Sequence, residues 1–214
     1  MISLTASAAE APGIAAYYYR VSAAGFGATT DMGAGVLVAP GKILTNCHIT
    51  QYSRRIRAAK ADDPAQEQQI TLQAYDTDRD VCLLVAPGAA GPVASMGDSS
   101  SLKPGDPVYS FGYGRGTERI SGLQGAFLRR QTIRGEEVLV TSSACADGDS
   151  GGGLFDRHGR LVGLVAAINT AAPGHECLAI PIERARQVLQ RTPIAVQATP
   201  GARAFYLDPS PSRQ

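Results

Sequence analysis

The chain has 214 residues, enough for one compact unit or two small fused lobes with a buried core. Hydrophobic residues make up 44% and charged residues 18% of the sequence, which is typical of a globular rather than a disordered protein. The formal net charge of +1 gives no electrostatic reason to expect nucleic acid or an anionic membrane as a partner, and no apolar run approaches the roughly 20 residues that cross a bilayer.

The first predicted region is an N-terminal extension, residues 1–12. It is rich in alanine, but it lacks the basic start and the long apolar stretch of a signal peptide. We therefore expect either a cytoplasmic protein or one from which a leader has been removed.

Short apolar runs bounded by Gly, Pro, Asp or Asn follow, and such runs are typical of the strands of an all-β sandwich or barrel. Between them, the polar stretch 97–105 carries turn residues and predicts a seam between two lobes. The runs that predict strands are 17–21, 35–38, 42–45, 81–85, 108–111, 138–140 and 161–165.

A single helix is predicted near the end, over 181–190, because its apolar residues fall on one stripe. That stripe consists of Ile182, Ala185, Val188 and Leu189. The residues after it, 195–214, are rich in Pro, Gly and Ser and predict a C-terminal tail or linker. The domain itself is therefore expected to span 13–194.

The nucleophile candidate is Ser150, within Gly148-Asp149-Ser150-Gly151-Gly152. A serine hydroxyl attacks a carbonyl only when a base removes its proton and fixed donors hold the resulting oxyanion. Glycines on both sides allow a tight turn that brings main-chain N–H groups close to a substrate.

The base and acid candidates are His48, which follows an apolar strand, and Asp80, which directly precedes one. Each alone would be read as a structural or turn residue. In the chain order His, Asp, Ser, they supply a base, an orienting carboxylate and a nucleophile. The reverse order of α/β-hydrolases would need His158 or His175, both in predicted loops, and a helix alternating with each strand.

These segments resemble the trypsin-like serine peptidases. Residues 44–48 (LTNCH) are similar to the family's L-T-x-x-H element, 80–84 (DVCLL) to D-[IV]-A-L-L, and 148–152 (GDSGG) to G-[DN]-S-G-G. Residues 33–38, 97–105 and 178–182 resemble elements of the bacterial HtrA-like branch. The resemblance implies an all-β fold of two six-stranded, chymotrypsin-like β-barrels with a short C-terminal helix. Unlike many HtrA-like proteins, the chain has no PDZ-sized segment after that helix.

The resemblance also implies roles for the site residues. Ser150 would be the nucleophile, His48 the general base and then acid, and Asp80 the group that orients the imidazole. The amides of Gly148 and Ser150 would form the oxyanion hole. A polypeptide is the expected substrate, with no cofactor and no metal ion.

A substrate-binding pocket is implied in the second barrel. Ala144 stands where trypsin has the aspartate that receives basic side chains, so we expect cleavage after small or aliphatic residues. Cys145, Ile168 and Cys177 would complete an apolar pocket with Ala144. The strand Ala166-Ala167-Ile168 would pair with the substrate backbone.

The same resemblance favours two disulfides, Cys47–Cys82 and Cys145–Cys177, with four free thiols as the alternative. The sequence contains no Cys-x-x-Cys spacing, the pattern that would indicate a zinc site. Bridges would favour a periplasmic or secreted protein, and free thiols a cytoplasmic one.

Digestive relatives are activated by a cut that frees an N-terminus to pair with the aspartate beside the serine. No clear counterpart of that cut precedes Val36, so Asp149 is expected to have another partner. The alternative functions are a catalytically silent binding module of the same fold and an esterase or acyltransferase with the same three residues. The sequence makes no prediction of the oligomeric state.

Overall fold

The computed structural model describes residues 13–24, 30–133, 135–169, 176–197 and 200–201. The predicted N-terminal extension, 1–12, lies outside the described residues, as do 198–199 and 202–214 of the predicted tail. The described residues form fourteen strands: β1 Tyr18–Ala24, β2 Thr30–Ala39, β3 Lys42–Thr45, β4 Arg55–Lys60, β5 Glu67–Ile70, β6 Leu72–Asp76, β7 Val81–Val85, β8 Pro107–Gly112, β9 Ser121–Ile133, β10 Glu136–Thr141, β11 Gly153–Asp156, β12 Leu161–Asn169, β13 Glu176–Pro181 and β14 Ile194–Ala195. The two helices are α1, Cys47–Thr50, and α2, Ile182–Leu189.

The N-terminal lobe is an eight-stranded sheet in the order β14-β6-β7-β3-β2-β1-β4-β5. All of its neighbouring strands are antiparallel. Side chains alternate between the core and solvent along β4, where Ile56 and Ala58 are buried and the flanking Arg55 and Arg57 are exposed. This period of two is what a sheet with one buried face requires.

The C-terminal lobe is a closed barrel in the order β10-β13-β12-β11-β8-β9. Its interior holds Phe127, Leu139, Leu154 and Val162, all of them buried. Closure pairs every strand on both sides, so this lobe has no open sheet edge to protect.

The all-β, chymotrypsin-like class and the C-terminal helix are confirmed, and the second barrel has its six strands. The N-terminal lobe differs in detail, because it is a half-barrel of eight strands rather than a six-stranded barrel. One of the additional strands, β14, extends the sheet by pairing Ile194 with Gln73 at the β6 edge.

The two lobes share one apolar core. Tyr18 from β1 and Leu83 from β7 belong to the same buried cluster as Phe155 from β11 and Leu164 from β12. The Tyr18 hydroxyl, fully buried, accepts a hydrogen bond from the Gly153 amide at 2.6 Å and donates to the Phe111 carbonyl at 3.3 Å. The lobes are therefore joined by packing and by buried hydrogen bonds.

Helix α2 covers this shared core. Ile182, Ala185 and Val188, three members of the predicted stripe, are fully buried, and the helix packs against β7 and β12. Neither α-helix in the described residues has the length and apolar character needed to span a bilayer.

Candidate active site

His48 and Asp80 are brought together by the ends of adjacent strands. Strand β3 ends at Thr45 and α1 follows with His48, while Asp80 directly precedes β7, the neighbour of β3. The fully buried Asp80 carboxylate accepts two hydrogen bonds from His48. One comes from the main-chain N–H at 2.7 Å, and the other joins Oδ2 to ring atom Nδ1 at 2.6 Å. These contacts fix the ring, with Nε2 on the side away from Asp80.

Asp80 adopts a left-handed backbone conformation, with φ of 56°. Aspartate tolerates this region better than most residues that carry a Cβ, but it still has a cost. The main chain of Asp80 is held by Cys47, whose N–H donates to the Asp80 carbonyl at 3.4 Å. The local backbone therefore turns the carboxylate back toward α1.

Ser150 lies on a tight turn that only glycine allows at two positions. Gly148 has φ of +98°, and a Cβ there would overlap the Tyr113 carbonyl oxygen. Gly151 has φ of +80°, and a Cβ there would overlap the carbonyl oxygen of Ala34. The Ser150 hydroxyl, half-buried, lies 3.4 Å from the carbonyl oxygen of Ala166 on β12. Gly148 and Gly151 are thus required sterically, in addition to the chemical reason for which the sequence predicted them.

The turn around Ser150 packs against the elements that carry His48. The Ala34 amide on β2 donates to the Ser150 carbonyl at 2.8 Å. A Cβ at Gly33 would overlap the Ile49 side chain of α1 and lie 2.7 Å from the Ser150 carbonyl oxygen. The three predicted catalytic residues therefore lie in one region between the two lobes.

Asn46 is a further buried residue at this site, and the sequence analysis did not single it out. Its Nδ2 donates to the Asp80 carbonyl at 3.0 Å, and its Oδ1 accepts from the Gly151 amide at 2.6 Å. In the sequence, only its position two residues before His48 pointed to this residue. The structure adds that the Asn46 amide is fully buried, and a buried amide requires hydrogen-bond partners.

Asp149 has the alternative partner that the sequence analysis expected. Its buried carboxylate accepts the Ala146 amide at 2.8 Å and is also hydrogen-bonded to the Gly114 amide. Burial raises the pKa of the Asp149 carboxyl above its ordinary value, and the two amides oppose that rise without cancelling it.

Both cysteine pairs form the disulfides that were expected. Cys47–Cys82 ties α1 to β7 beside His48 and Asp80. Cys145–Cys177 ties the segment before Ser150 to β13. The alternative of four free thiols is wrong for this structure.

The residues predicted to line the substrate pocket lie together in the C-terminal lobe. Cys145, Cys177 and Ile168 form one apolar cluster with Val165, and Cys145 is also within 3.5 Å of the Ala167 carbonyl oxygen. Two further predicted residues are adjacent: Ala144 is exposed beside Cys145, and Ala166 is buried at the bulge in β12.

A cavity of about 400 Å³ adjoins the turn that carries Ser150. It is lined by Gly148 and Asp147, by residues 115–117 and by Met32 and Gly33 of β2.

Comparison with known proteins settles the family. The profile of the trypsin-like peptidase domain matches residues 33–164, which include all three predicted catalytic positions. The chain belongs to this family. Within it, a probable periplasmic serine endoprotease DegP-like of Pseudomonas savastanoi pv. phaseolicola is 33% identical over 168 residues, 75% of this chain. The chain spans about a third of that relative's length, 34%.

Solved structures share the fold at lower identity. The active form of the Rv3671c protease from M. tuberculosis superposes with a TM-score of 0.76 at 18% identity, covering 88% of this chain and 87% of that one. The HtrA-type protease AlgW with a tripeptide gives a TM-score of 0.74 at 24% identity, covering 82% of this chain and 60% of that one. At these identities the likeness concerns the fold.

Proposed function

We propose that the chain is a serine endopeptidase of the HtrA type, with Ser150 as nucleophile, His48 as general base and Asp80 as the orienting carboxylate. The observation that carries this proposal is the His48–Asp80 contact at 2.6 Å beside the Ser150 turn, in a chain of the trypsin-like peptidase family. The name of its DegP-like relative supports the same activity class.

The reaction follows from the chemistry of the three residues. Ser150 Oγ forms a bond to the peptide carbonyl carbon while His48 Nε2 takes the hydroxyl proton. When the tetrahedral intermediate collapses, the C–N bond breaks and His48 gives that proton to the leaving amine. Water then attacks the acyl-enzyme in the same way, releasing the second product and restoring Ser150. Asp80 stabilises the imidazolium formed in each half-reaction.

The amides of Gly148 and Ser150 are proposed as the oxyanion hole. In support, neither N–H donates to another described residue, while the neighbouring Asp149 and Gly151 amides both have main-chain acceptors. In related chemistry, one such donor lowers the barrier by about 3–4 kcal/mol.

The substrate is proposed to be a polypeptide bound as an extended strand along residues 166–168. The half-buried Ile168 and the Cys145–Cys177 bridge give the adjacent pocket an apolar wall. A small or aliphatic residue before the cut fits this lining.

An extracytoplasmic location is proposed for the protein. Structural disulfides form and persist mainly in oxidising compartments, and the DegP-like relative is named as periplasmic.

The test compares casein digestion by the parent, by Ser150→Ala and by Ser121→Ala, a matched serine substitution at an exposed strand end. We expect the parent and Ser121→Ala to cleave at equal rates and Ser150→Ala to lose at least about 1,000-fold in kcat, because no other group can form the acyl-enzyme. Digestion of a peptide library by the parent should give cuts mainly after Ala or Val.

Four outcomes would contradict parts of this proposal. Cleavage by Ser150→Ala at the parent rate would remove Ser150 as nucleophile. Cuts mainly after Lys, Glu or Tyr would overturn the pocket assignment alone. Ester turnover without peptide cleavage would indicate an esterase. Absence of turnover of either substrate, together with absence of fluorophosphonate labelling of Ser150, would indicate a binding module.

A further inference from the structure

Asn46 makes two long-range hydrogen bonds with opposite chemical roles. Nδ2 donates to the Asp80 carbonyl, 34 residues away in the chain, and Oδ1 accepts from the Gly151 amide, 105 residues away. Only one orientation of the amide satisfies a carbonyl on one side and an N–H on the other. The side chain is fully buried, so both contacts are made away from bulk water.

The local backbone would have favoured a different use of this side chain. Asn46 occupies the N-cap position of α1, where asparagine ordinarily accepts a hydrogen bond from the first turn of the helix. Here the side chain makes no capping hydrogen bond. It is committed instead to contacts with two other segments, one from each lobe.

Those two segments carry the other members of the proposed triad. The Asp80 carbonyl that Asn46 holds belongs to the residue whose carboxylate contacts His48, and that residue has a left-handed φ. The Gly151 amide belongs to the residue directly after Ser150. His48 itself is two residues along the chain from Asn46, on α1.

We propose that Asn46 is a positioning residue that sets the orientation of Asp80 and Ser150 relative to His48 across the two lobes. The proposal rests on the triad given under the proposed function. Asn46 does not contact the reacting atoms; it acts by fixing the backbone on either side of them.

Other contacts would preserve the fold when this amide is removed. The Gly151 N–H also donates to the Val165 carbonyl at 2.9 Å, and the Asp80 carbonyl also accepts from the Cys47 N–H at 3.4 Å. Neither group would be left without a partner in Asn46→Ala. Asn46→Ala therefore tests the orientation of the proposed triad and not the cost of leaving the Gly151 N–H or the Asp80 carbonyl without a hydrogen bond.

The experiment measures kcat and KM on a peptide substrate for the parent, Asn46→Ala and Asn46→Asp. Asn46→Asp keeps an acceptor for the Gly151 amide but loses the donor to the Asp80 carbonyl. It also serves as a second variant in case Asn46→Ala does not fold. We expect kcat to fall by about 30- to 100-fold in both, with KM within about threefold, because a displacement of about 1 Å costs about that much in rate.

Tyr18→Phe is the matched control, because it also removes a buried hydrogen bond between the lobes. We expect it to lower the melting temperature as much as Asn46→Ala does, while kcat changes less than about threefold. An equal fall in kcat for Tyr18→Phe and Asn46→Ala would overturn the proposal, as would Asn46 variants with kcat within about twofold of the parent.

A spectroscopic readout separates this proposal from the proposed activity. A proton in the short hydrogen bond between His48 Nδ1 and Asp80 Oδ2 is expected to give a low-field NMR resonance, and detecting it does not require turnover. We expect that resonance in the parent and in Tyr18→Phe, and its shift or loss in Asn46→Ala. An inactive parent would contradict the proposed function only, whereas an unchanged resonance in Asn46→Ala would overturn the positioning role.

Discussion

At the scale of single residues, the most informative contact outside the His48–Asp80 pair is that of Asp149. A buried carboxylate normally needs a cation, but here two main-chain amides, from Ala146 and Gly114, are its partners. They leave the pKa of the Asp149 carboxyl raised, because burial is the larger influence. Ionisation of the Asp149 carboxyl therefore costs free energy in the folded state.

The sign of the resulting pH dependence is fixed by that raised pKa. The contribution of Asp149 to stability is complete below the ordinary carboxyl pKa of about 4 and is lost as the pH rises through the higher folded pKa. Asp149→Asn stays neutral and keeps an acceptor for the Ala146 amide.

We therefore expect the free energy of unfolding of the parent to fall, relative to that of Asp149→Asn, as the pH rises above about 4. Urea titrations of both proteins at several pH values measure this difference. Parallel pH profiles would show that the carboxyl is not destabilised by burial.

At the scale of elements, the two disulfides close loops of nearly equal length. Cys47–Cys82 spans 35 residues and Cys145–Cys177 spans 32. In the chain-entropy account, a bridge stabilises mainly by restricting the unfolded chain, and the effect depends only on loop length. The two bridges should then contribute equally, although one lies beside His48 and the other lines the proposed substrate pocket.

Replacing either pair by serine is expected to lower the free energy of unfolding by about 3–4 kcal/mol. Denaturant titration of Cys47→Ser/Cys82→Ser and of Cys145→Ser/Cys177→Ser measures both losses. Losses that differ by more than about 2 kcal/mol would mean that native contacts, rather than loop closure, determine the contribution of each bridge.

At the scale of the whole molecule, the shared core makes the two lobes one thermodynamic unit. Phe155 from the C-terminal lobe is fully buried, with its ring centroid 6.4 Å from that of Tyr18 in the N-terminal lobe and 5.8 Å from that of Phe111. Unfolding of either lobe alone would expose to solvent the apolar surface that the other lobe buries in this shared core.

Phe155→Ala is accordingly expected to lower the free energy of unfolding by about 3–5 kcal/mol and to retain a single transition. Far-ultraviolet circular dichroism and tyrosine fluorescence, followed through one denaturant titration, should coincide. Leu123→Ala is the control, since Leu123 is exposed and its loss should change stability by no more than about 0.5 kcal/mol. Two separated transitions in the parent would contradict the shared-core account.

Much of this architecture could be predicted from local sequence patterns. The runs 42–45 and 81–85 coincide with β3 and β7, and the stripe over 181–190 is α2, because burial of one face leaves a periodic trace in the sequence. The positions of Ser150, His48 and Asp80 were predicted from motifs whose chemistry constrains their neighbours.

The rest depends on contacts that no local pattern records. The Asn46–Gly151 hydrogen bond joins positions 105 residues apart, and strand β14 has only two residues, too few to show a period. The half-barrel form of the N-terminal lobe likewise depends on which strand edges meet, and composition carries no information about that choice.

The main-chain amides beside Asp149 have a consequence for how the domain can be combined with other sequences. Because Ala146 and Gly114 already bind the carboxylate, no free α-amino group is needed to complete this part of the site. Additional residues joined ahead of the domain by gene fusion are therefore expected to leave the partners of the Asp149 carboxylate unchanged.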